Sequence, residues 1–334
     1  MTRLSGLDIA RFLAFCGMVL VNFRIAASVT PGADFASTFT TALEGRAAAL
    51  FVILAGIGLM LARSDTATVL KRAAFLMALG LINLTIFDAD ILHFYAVYFV
   101  VAIPFVSMSN RGLWIGIATI LSLSLLALVT LDYEAGWNWE TYTYSGFWTV
   151  TGFLRHTFFN GWHPVFPWVC FLLFGLWLGR LELGARKTQL ALIGGGFLAA
   201  LLGLIPGWIT TDVELIDLVN AQAIPPGPFY ILSASGSAAA MIGLILLVEP
   251  LLTRLRLSGW LTAPGRQALT LYVAHILIGM GILDEMGLLD GSLSPQQIFH
   301  YSLGFCAAVA IYARLWALIA KRGPLEALMR RLTG

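Results

Sequence analysis

Long apolar segments follow one another along almost the whole chain and constrain the fold more than any other feature. A helix needs about 20 apolar residues to cross the hydrocarbon core of a membrane, and ten segments approach that length. Charged residues make up only 11% of the 334 residues, against about 25% in soluble domains. We therefore predict an all-α, polytopic transmembrane helix bundle that forms a single domain over residues 1–334. The ten predicted spans are 7–27, 45–62, 72–87, 91–108, 113–131, 164–180, 188–208, 229–253, 267–283 and 297–320.

Lysine and arginine are distributed unequally between the loops. Nearly all of those in loops lie on the side that carries both termini, whereas the longest loop of the other side, about 132–163, holds Arg155. Cytoplasmic loops are enriched in these residues, so we predict cytoplasmic N- and C-termini and a multi-pass protein of the bacterial inner membrane. The long outer loop is rich in Trp and Tyr, which suits either an interfacial anchor or a lid over a site.

The first span, "LDIARFLAFCGMVLVNFR", carries polar side chains on one helical face, at Asp8, Arg11 and Asn22. Charged groups inside a membrane usually face the protein interior. Asp8 and Arg11 can pair near the cytoplasmic end, while Asn22 lies about 16 Å farther along at 1.5 Å per residue. The pattern indicates either an interhelical ion pair with a packing amide, or two ends of a functional site.

Further polar groups are predicted at the outer ends of other spans. Arg46 begins the second span at about the depth of Asn22, with Glu44 as its expected partner. Asp90 and His93 are three residues apart, so the carboxylate can orient the imidazole as a general base requires. A structural histidine paired with an aspartate is the competing interpretation.

Two other histidines lie within or at the end of predicted spans, and their depth in the membrane bears on their role. His163 lies at the mouth of the sixth span, where an imidazole that titrates near neutrality can accept a proton from an alcohol or amine. His275 lies roughly 13 Å inside from Arg266, near mid-membrane and close to Tyr272, where it needs a partner or a water-filled cavity. His156 and His300 are interpreted as peripheral. The three cysteines are interpreted as apolar core residues, and we predict no metal site.

Five segments in this order resemble the bacterial YeiB-like membrane proteins, which are related to heparan-alpha-glucosaminide N-acetyltransferase and the transmembrane acyltransferase superfamily. The segments are "GLDIARFLAFCGMVLVNF", "GRAAALFVILAGIGLML", "DILHFYAVYF", "HPVFPWVCFLLFGLWLGR" and "GRQALTLYVAHIL". The resemblance implies a helix bundle that takes an acyl group from cytoplasmic acyl-CoA. The group passes to an amino or hydroxyl group, often of a sugar, at the outer side.

Carried over by position, Asp8 and Arg11 match the polar pair that opens the first helix of the family. Asn22 matches the asparagine of the "VNY" motif in the heparan enzyme, which has its functional histidine shortly afterwards. The corresponding loop here, "RIAASVTPGADFASTFTTALEG", contains no histidine. Either His163 or His93 supplies the imidazole from another helix, or the acetyl-transfer chemistry is absent.

The resemblance leads to a mechanistic hypothesis with acetyl-CoA or another acyl-CoA as co-substrate. His163, or His93 oriented by Asp90, would deprotonate the acceptor, and Asn22 with Arg46 would stabilise the oxyanion. Asp8 and Arg11 would organise the cytoplasmic entrance, and the pantetheine arm would pass Tyr272 and His275. The CoA phosphates would be bound by arginines near the inner face: Arg63, Arg72, Arg180 and Arg266.

A different function class uses the same polar groups. In a transporter or channel for a small anionic metabolite they would form the substrate path, although no inverted repeat is evident in the sequence. A non-enzymatic scaffold fits less well, because packing does not need ionisable residues. The expected partners are a small-molecule or glycan acceptor, membrane lipids and a second copy in a homodimer, without nucleic acid.

Overall fold

The computed structural model describes residues 4–334, without the side chains of residues 213, 214 and 217. This part of the chain forms sixteen α-helices, two π-helical turns and one two-stranded hairpin in which Trp137 pairs with Tyr144. The elements in chain order are α1 Ser5–Ala26, α2 Phe35–Leu43, α3 Arg46–Ala62, α4 Thr66–Asn83, α5 Leu92–Val106, α6 Asn110–Thr130, β1 Trp137–Asn138, β2 Thr143–Tyr144, α7 Val150–Arg155, a π-turn His156–Asn160, α8 Val165–Leu178, α9 Arg186–Ile209, α10 Val213–Val219, α11 Pro228–Arg254, α12 Ser258–Gly265, α13 Ala268–Ala274, a π-turn His275–Met280, α14 Gly281–Glu285, α15 Pro295–Ile319 and α16 Pro324–Thr333.

The helical class predicted from the sequence is confirmed. Among the described residues, eight helical stretches are long and apolar enough to cross a membrane. A ninth results if Val150–Asn160 and Val165–Leu178, which are bent by 50°, form one span. All ten predicted segments coincide with helices, but α5 has 15 residues and α8 has 14. Both are shorter than the roughly 20 residues of an ordinary span.

Contacts between residues group the chain into two compact units. The first unit is Met1–Phe51, Leu183–Ile193 and Ala240–Gly334, and the second is Val52–Glu182 and Gly194–Ala239. Helices α3, α9 and α11 each contribute a part to both units. The division into units does not test whether residues 1–334 form a single domain, so that expectation stays a prediction.

Within the first unit, α1 packs closely against α12 because Gly265 has no side chain. A Cβ at Gly265 would collide with the backbone of Asp8. At its other half, α1 places Gly17 against the side chain of Ala47. Small residues allow such close helix contacts inside membranes, and here they bury the side chain of Asp8.

Within the second unit, glycines bring two further pairs of helices together. Gly56 of α3 and Gly175 of α8 face each other, and a Cβ at either would clash with the backbone opposite. Gly80 of α4 lies directly against the backbone of His93 in α5. Gly80 therefore lets α5 lie directly against α4 at His93.

Candidate active site

Three histidines of the second unit form one cluster. The rings of His93 and His156 are stacked with their centroids 5.9 Å apart. The ring of Phe94 contacts two of the histidines, with its centroid 5.5 Å from that of His156 and 5.8 Å from that of His163. The side chains of His93 and His156 are 0% and 2% exposed.

Most nitrogens of this cluster have no hydrogen-bond partner among the described residues. This holds for both ring nitrogens of His93 and for Nδ1 of His156 and His163. Buried polar atoms in folded proteins nearly always have a partner. The cluster therefore offers buried imidazole nitrogens that a ligand or a transferred proton can occupy. We call His93, His156 and His163 the histidine cluster.

Asp90 lies next to His93, as the spacing predicted, but uses its oxygens elsewhere. Oδ1 accepts from the side-chain amide of Asn83 at 3.0 Å, and Oδ2 accepts from the backbone N–H of Leu92 at 2.7 Å. Nδ1 of His93 is 3.9 Å from Oδ2, which is too long for a hydrogen bond. Asp90 thus holds the first turn of α5 and places a negative charge near the ring without orienting it by a hydrogen bond.

Asn160 ties the outer hairpin to the π-turn that begins at His156. Its Nδ2 donates to the carbonyls of Tyr133 and Ala135 at 2.8 and 2.9 Å. Its Oδ1 accepts from the hydroxyl of Tyr144 at 3.1 Å, and its carbonyl accepts from the indole of Trp137 at 2.6 Å. Turns of π-helix often occur at functional sites, and this one is held by four hydrogen bonds from a single buried residue.

Residues 144–149, the end of α4 and the start of the π-turn line a cavity of about 260 Å³. Asp88 lies at this cavity, and partial burial raises the pKa of its carboxyl above the ordinary value. The walls are mostly aromatic and His156 forms part of them, so the geometry favours the lid interpretation of the long loop. The lining residues are Leu84, Asp88, Tyr144, Gly146, Phe147, Trp148, Thr149, His156 and Trp162.

The first unit holds a buried ionic cluster around Asp8. Its carboxylate lies 2.6 Å from Nη1 of Arg11 and 3.4 Å from Nε of Arg266, and its side chain is 1% exposed. The pairing predicted for Asp8 and Arg11 is confirmed. Arg266, expected at a phosphate, lies against Asp8 while 43% of its side chain stays exposed.

Asn22 and His275 bind each other directly in the same unit. Nδ2 of Asn22 lies 3.0 Å from Nε2 of His275, and Nδ1 of the ring contacts the carbonyl of Tyr272. Because a carbonyl only accepts, Nδ1 must carry the proton and Nε2 must accept from the amide. Both nitrogens of this ring are therefore used inside the protein.

Arg46 is the first residue of α3 and is half-buried. Its expected partner Glu44 accepts from Arg24, with Nη2 and Oε1 2.6 Å apart. Arg24 is almost fully buried, so this ion pair fixes the turn between α2 and α3 close to Arg46.

The remaining arginines predicted to bind phosphates differ in their contacts. Arg180 donates to Oδ1 of Asn110 at 2.9 Å and to two carbonyls that end α5. Arg72 donates to the hydroxyl of Ser64 at 3.2 Å. Arg63 is exposed and occupies the left-handed region with φ 47°, at the turn after α3.

Comparison with known families identifies the chain. Residues 3–205 match the model of the heparan-alpha-glucosaminide N-acetyltransferase catalytic domain. The chain belongs to this family. Residues 169–334 match a family of proteins of unknown function, DUF418, and no curated protein matches the chain. The resemblance drawn from the sequence is confirmed, and together with the apolar helices it indicates a multi-pass membrane protein related to an acetyltransferase.

All members of the histidine cluster lie inside the region that matches the catalytic domain. His156 was interpreted as peripheral from the sequence, yet its ring stacks on that of His93 inside the cluster. The spacing of His156, Asn160 and His163 at i, i+4 and i+7 is a helical signal that would have grouped them. Within the described residues, no group of three or more His, Cys, Asp or Glu side chains is arranged to hold a metal ion.

Proposed function

We propose that this protein is an integral membrane acyltransferase. It moves an acyl group, acetyl in the simplest case, from cytoplasmic acyl-CoA to a hydroxyl or amino group of a sugar or small molecule at the outer face of the bacterial inner membrane. The family match over residues 3–205 supports the reaction class. The basic loops support cytoplasmic termini, and with α5 and α8 as short spans the bundle has ten crossings.

The observation that carries the proposal is the histidine cluster with its unpartnered nitrogens beside an aromatic cavity. The acceptor occupies the cavity, where aromatic rings cover the faces of a sugar and Asp88 accepts a hydrogen bond from it. His156 lines the cavity and lies nearest to an acceptor there. His93 is the next imidazole, with its ring centroid 5.9 Å from that of His156, and His163 lies on the other side of Phe94.

In the transfer step, the oxygen or nitrogen of the acceptor attacks the thioester carbonyl. A bond forms between acceptor and acyl carbon, the carbon–sulfur bond breaks, and the acceptor's proton goes to an imidazole and then to the CoA thiolate. The oxyanion contacts of Asn22 and Arg46 stay predictions from the sequence. So do the donor contacts of Asp8, Arg11, Tyr272 and His275. Among the phosphate-binding arginines, Arg63 is the most accessible, since Arg72, Arg180 and Arg266 already bind protein groups.

The test is release of CoA thiol from acetyl-CoA by the full chain in proteoliposomes, with glucosamine and glucose as acceptors. We expect acceptor-dependent release that falls in His156→Gln and in His93→Gln. The control is His300→Gln, because His300 is exposed on α15 and its Nδ1 binds the carbonyl of Gln296 at 2.6 Å. Absence of acetyl-CoA binding, combined with uptake of a labelled anionic solute, would overturn the transferase in favour of a transporter.

A further inference from the structure

The last helix, α16, has an apolar stripe that the protein leaves uncovered. Leu325, Leu328, Met329 and Leu332 lie on one side of the helix, and Leu328 and Leu332 are 46% and 60% exposed. Basic residues flank this stripe and are exposed as well: Lys321, Arg322, Arg330 and Arg331. A short helix with an apolar face between basic residues is typical of helices that lie in a membrane interface.

A different side of α16 is fixed to the start of α13. Oε1 of Glu326 accepts from the backbone N–H groups of Leu269 and Thr270 at 2.7 and 3.1 Å. Its Oε2 accepts from the hydroxyl of Thr270 at 2.6 Å, and that hydroxyl oxygen accepts from the N–H of Leu325 at 3.0 Å. Glu326 thereby satisfies N–H groups that the first turn of any helix leaves open. This contact leaves Leu328 and Leu332 exposed.

The neighbours of α16 place it at a membrane boundary. It follows α15, a 25-residue candidate span, after residues 320–323 alone. It also contacts the first turn of α13, where the candidate span Ala268–Glu285 begins. The indole of Trp316 donates to the carbonyl of Arg322 at 2.8 Å, and tryptophans concentrate at the membrane interface. One span ends here and another begins.

We propose that α16 is a membrane-surface helix that binds anionic lipid headgroups. Leu328 and Leu332 enter the boundary between headgroups and acyl chains, while the four basic side chains contact lipid phosphates. Arginine suits this contact because its planar fork matches two phosphate oxygens. Lipid binding to α16 would also stabilise the first turn of α13, because Glu326 bonds to that turn. His275 follows the other end of α13. The proposal is independent of the acyl-transfer reaction.

The test is hydrogen exchange of residues 321–334 in the full chain, in nanodiscs of phosphatidylcholine alone or with about one-third phosphatidylglycerol. We expect the amides of α16 to exchange roughly tenfold more slowly in the anionic bilayer, since each basic residue near such a surface strengthens binding. The double variant R330Q/R331Q should lose this protection. Its control is R186Q/K187Q, which removes the same charge from exposed residues at the start of α9.

Equal exchange in the two bilayers would overturn the proposal, as would an equal loss of protection in the control. Protection by inorganic phosphate in phosphatidylcholine nanodiscs would also overturn it, because a free anion would then be the ligand. Leu332→Gln gives a second measure, since it weakens insertion without changing charge. Unfolding temperatures of all variants in detergent should agree, because the altered side chains are exposed.

Discussion

Two buried histidines begin the two π-helical turns in the described part of the chain, and their ring nitrogens have different fates. In the first unit, His275 binds the Tyr272 carbonyl through Nδ1 and Asn22 through Nε2. In the second unit, His156 has an unpartnered Nδ1, stacks on His93 and lines a cavity. A ring with both nitrogens bonded is fixed in one tautomer and supports the fold. A ring with a free nitrogen beside a cavity can exchange protons with a ligand.

The largest expected effect is the loss of activity on replacing His156. His156→Gln should lower the rate of CoA release by about 100-fold or more, because a general base contributes about 10²- to 10⁴-fold. Nδ1 of this ring makes no hydrogen bond to lose, so the loss of stability should be limited to that of ring packing. The measurements are CoA thiol release and the unfolding temperature in detergent. Full activity in this variant would remove His156 from the mechanism.

His275→Leu should lower the stability of the fold. It leaves the amide of Asn22 without its buried partner, which costs about 1–3 kcal/mol of unfolding free energy. A double-mutant cycle with Asn22→Leu should recover a coupling of about 1 kcal/mol, measured by chemical unfolding. Additive losses would show that the pair does not act as a unit and would weaken the contrast with His156.

Asn160→Ala should free the hairpin from the π-turn. The carbonyls of Tyr133 and Ala135 lose their donor, so residues 133–144 should exchange backbone hydrogens several-fold faster. Asn138→Ala is the matched control, because Asn138 is exposed in the same hairpin and accepts only from nearby backbone N–H groups. Equal exchange in the two variants would show that Asn160 does not hold the hairpin.

Asp88→Asn should produce the smallest change, visible in a pH profile. Partial burial raises the pKa of the carboxyl, so the folded chain binds its proton more tightly than the unfolded chain does. Protonation therefore stabilises the fold slightly as pH falls through the region just above the ordinary value of about 4. Asp88→Asn should remove this dependence of the unfolding temperature. Asp132→Asn, at an exposed residue just after α6, should leave this dependence intact.

The sequence predicted the features that depend on neighbouring residues. The helical spacing of Asp8 and Arg11 was sufficient to predict their ion pair. Hydropathy located the helices of all ten predicted spans and gave both ends of α5 and α8 to within two residues, but it did not predict α2. The start of α5 is set by hydrogen bonds that Asp90 makes to Asn83 and Leu92, which a hydropathy pattern does not register.

The candidate site was harder to predict because its contacts join distant parts of the chain. Asn22 and His275 are 253 positions apart, and each was assigned a different depth from its own helix. His156 meets His93 only because of how the long loop folds. No local pattern encodes that arrangement, although the repeated spacing to Asn160 and His163 hinted at a shared face.

The position of Asn160 has a consequence for how molecules reach the histidines. The residue bonds at once to Tyr133, Ala135, Trp137 and Tyr144, so lifting the hairpin breaks four hydrogen bonds together and disturbs the turn that carries His156. A movement that breaks all four hydrogen bonds is a costly way to admit a ligand. In the proposed reaction, a route to the cavity that leaves the hairpin in place preserves these four hydrogen bonds.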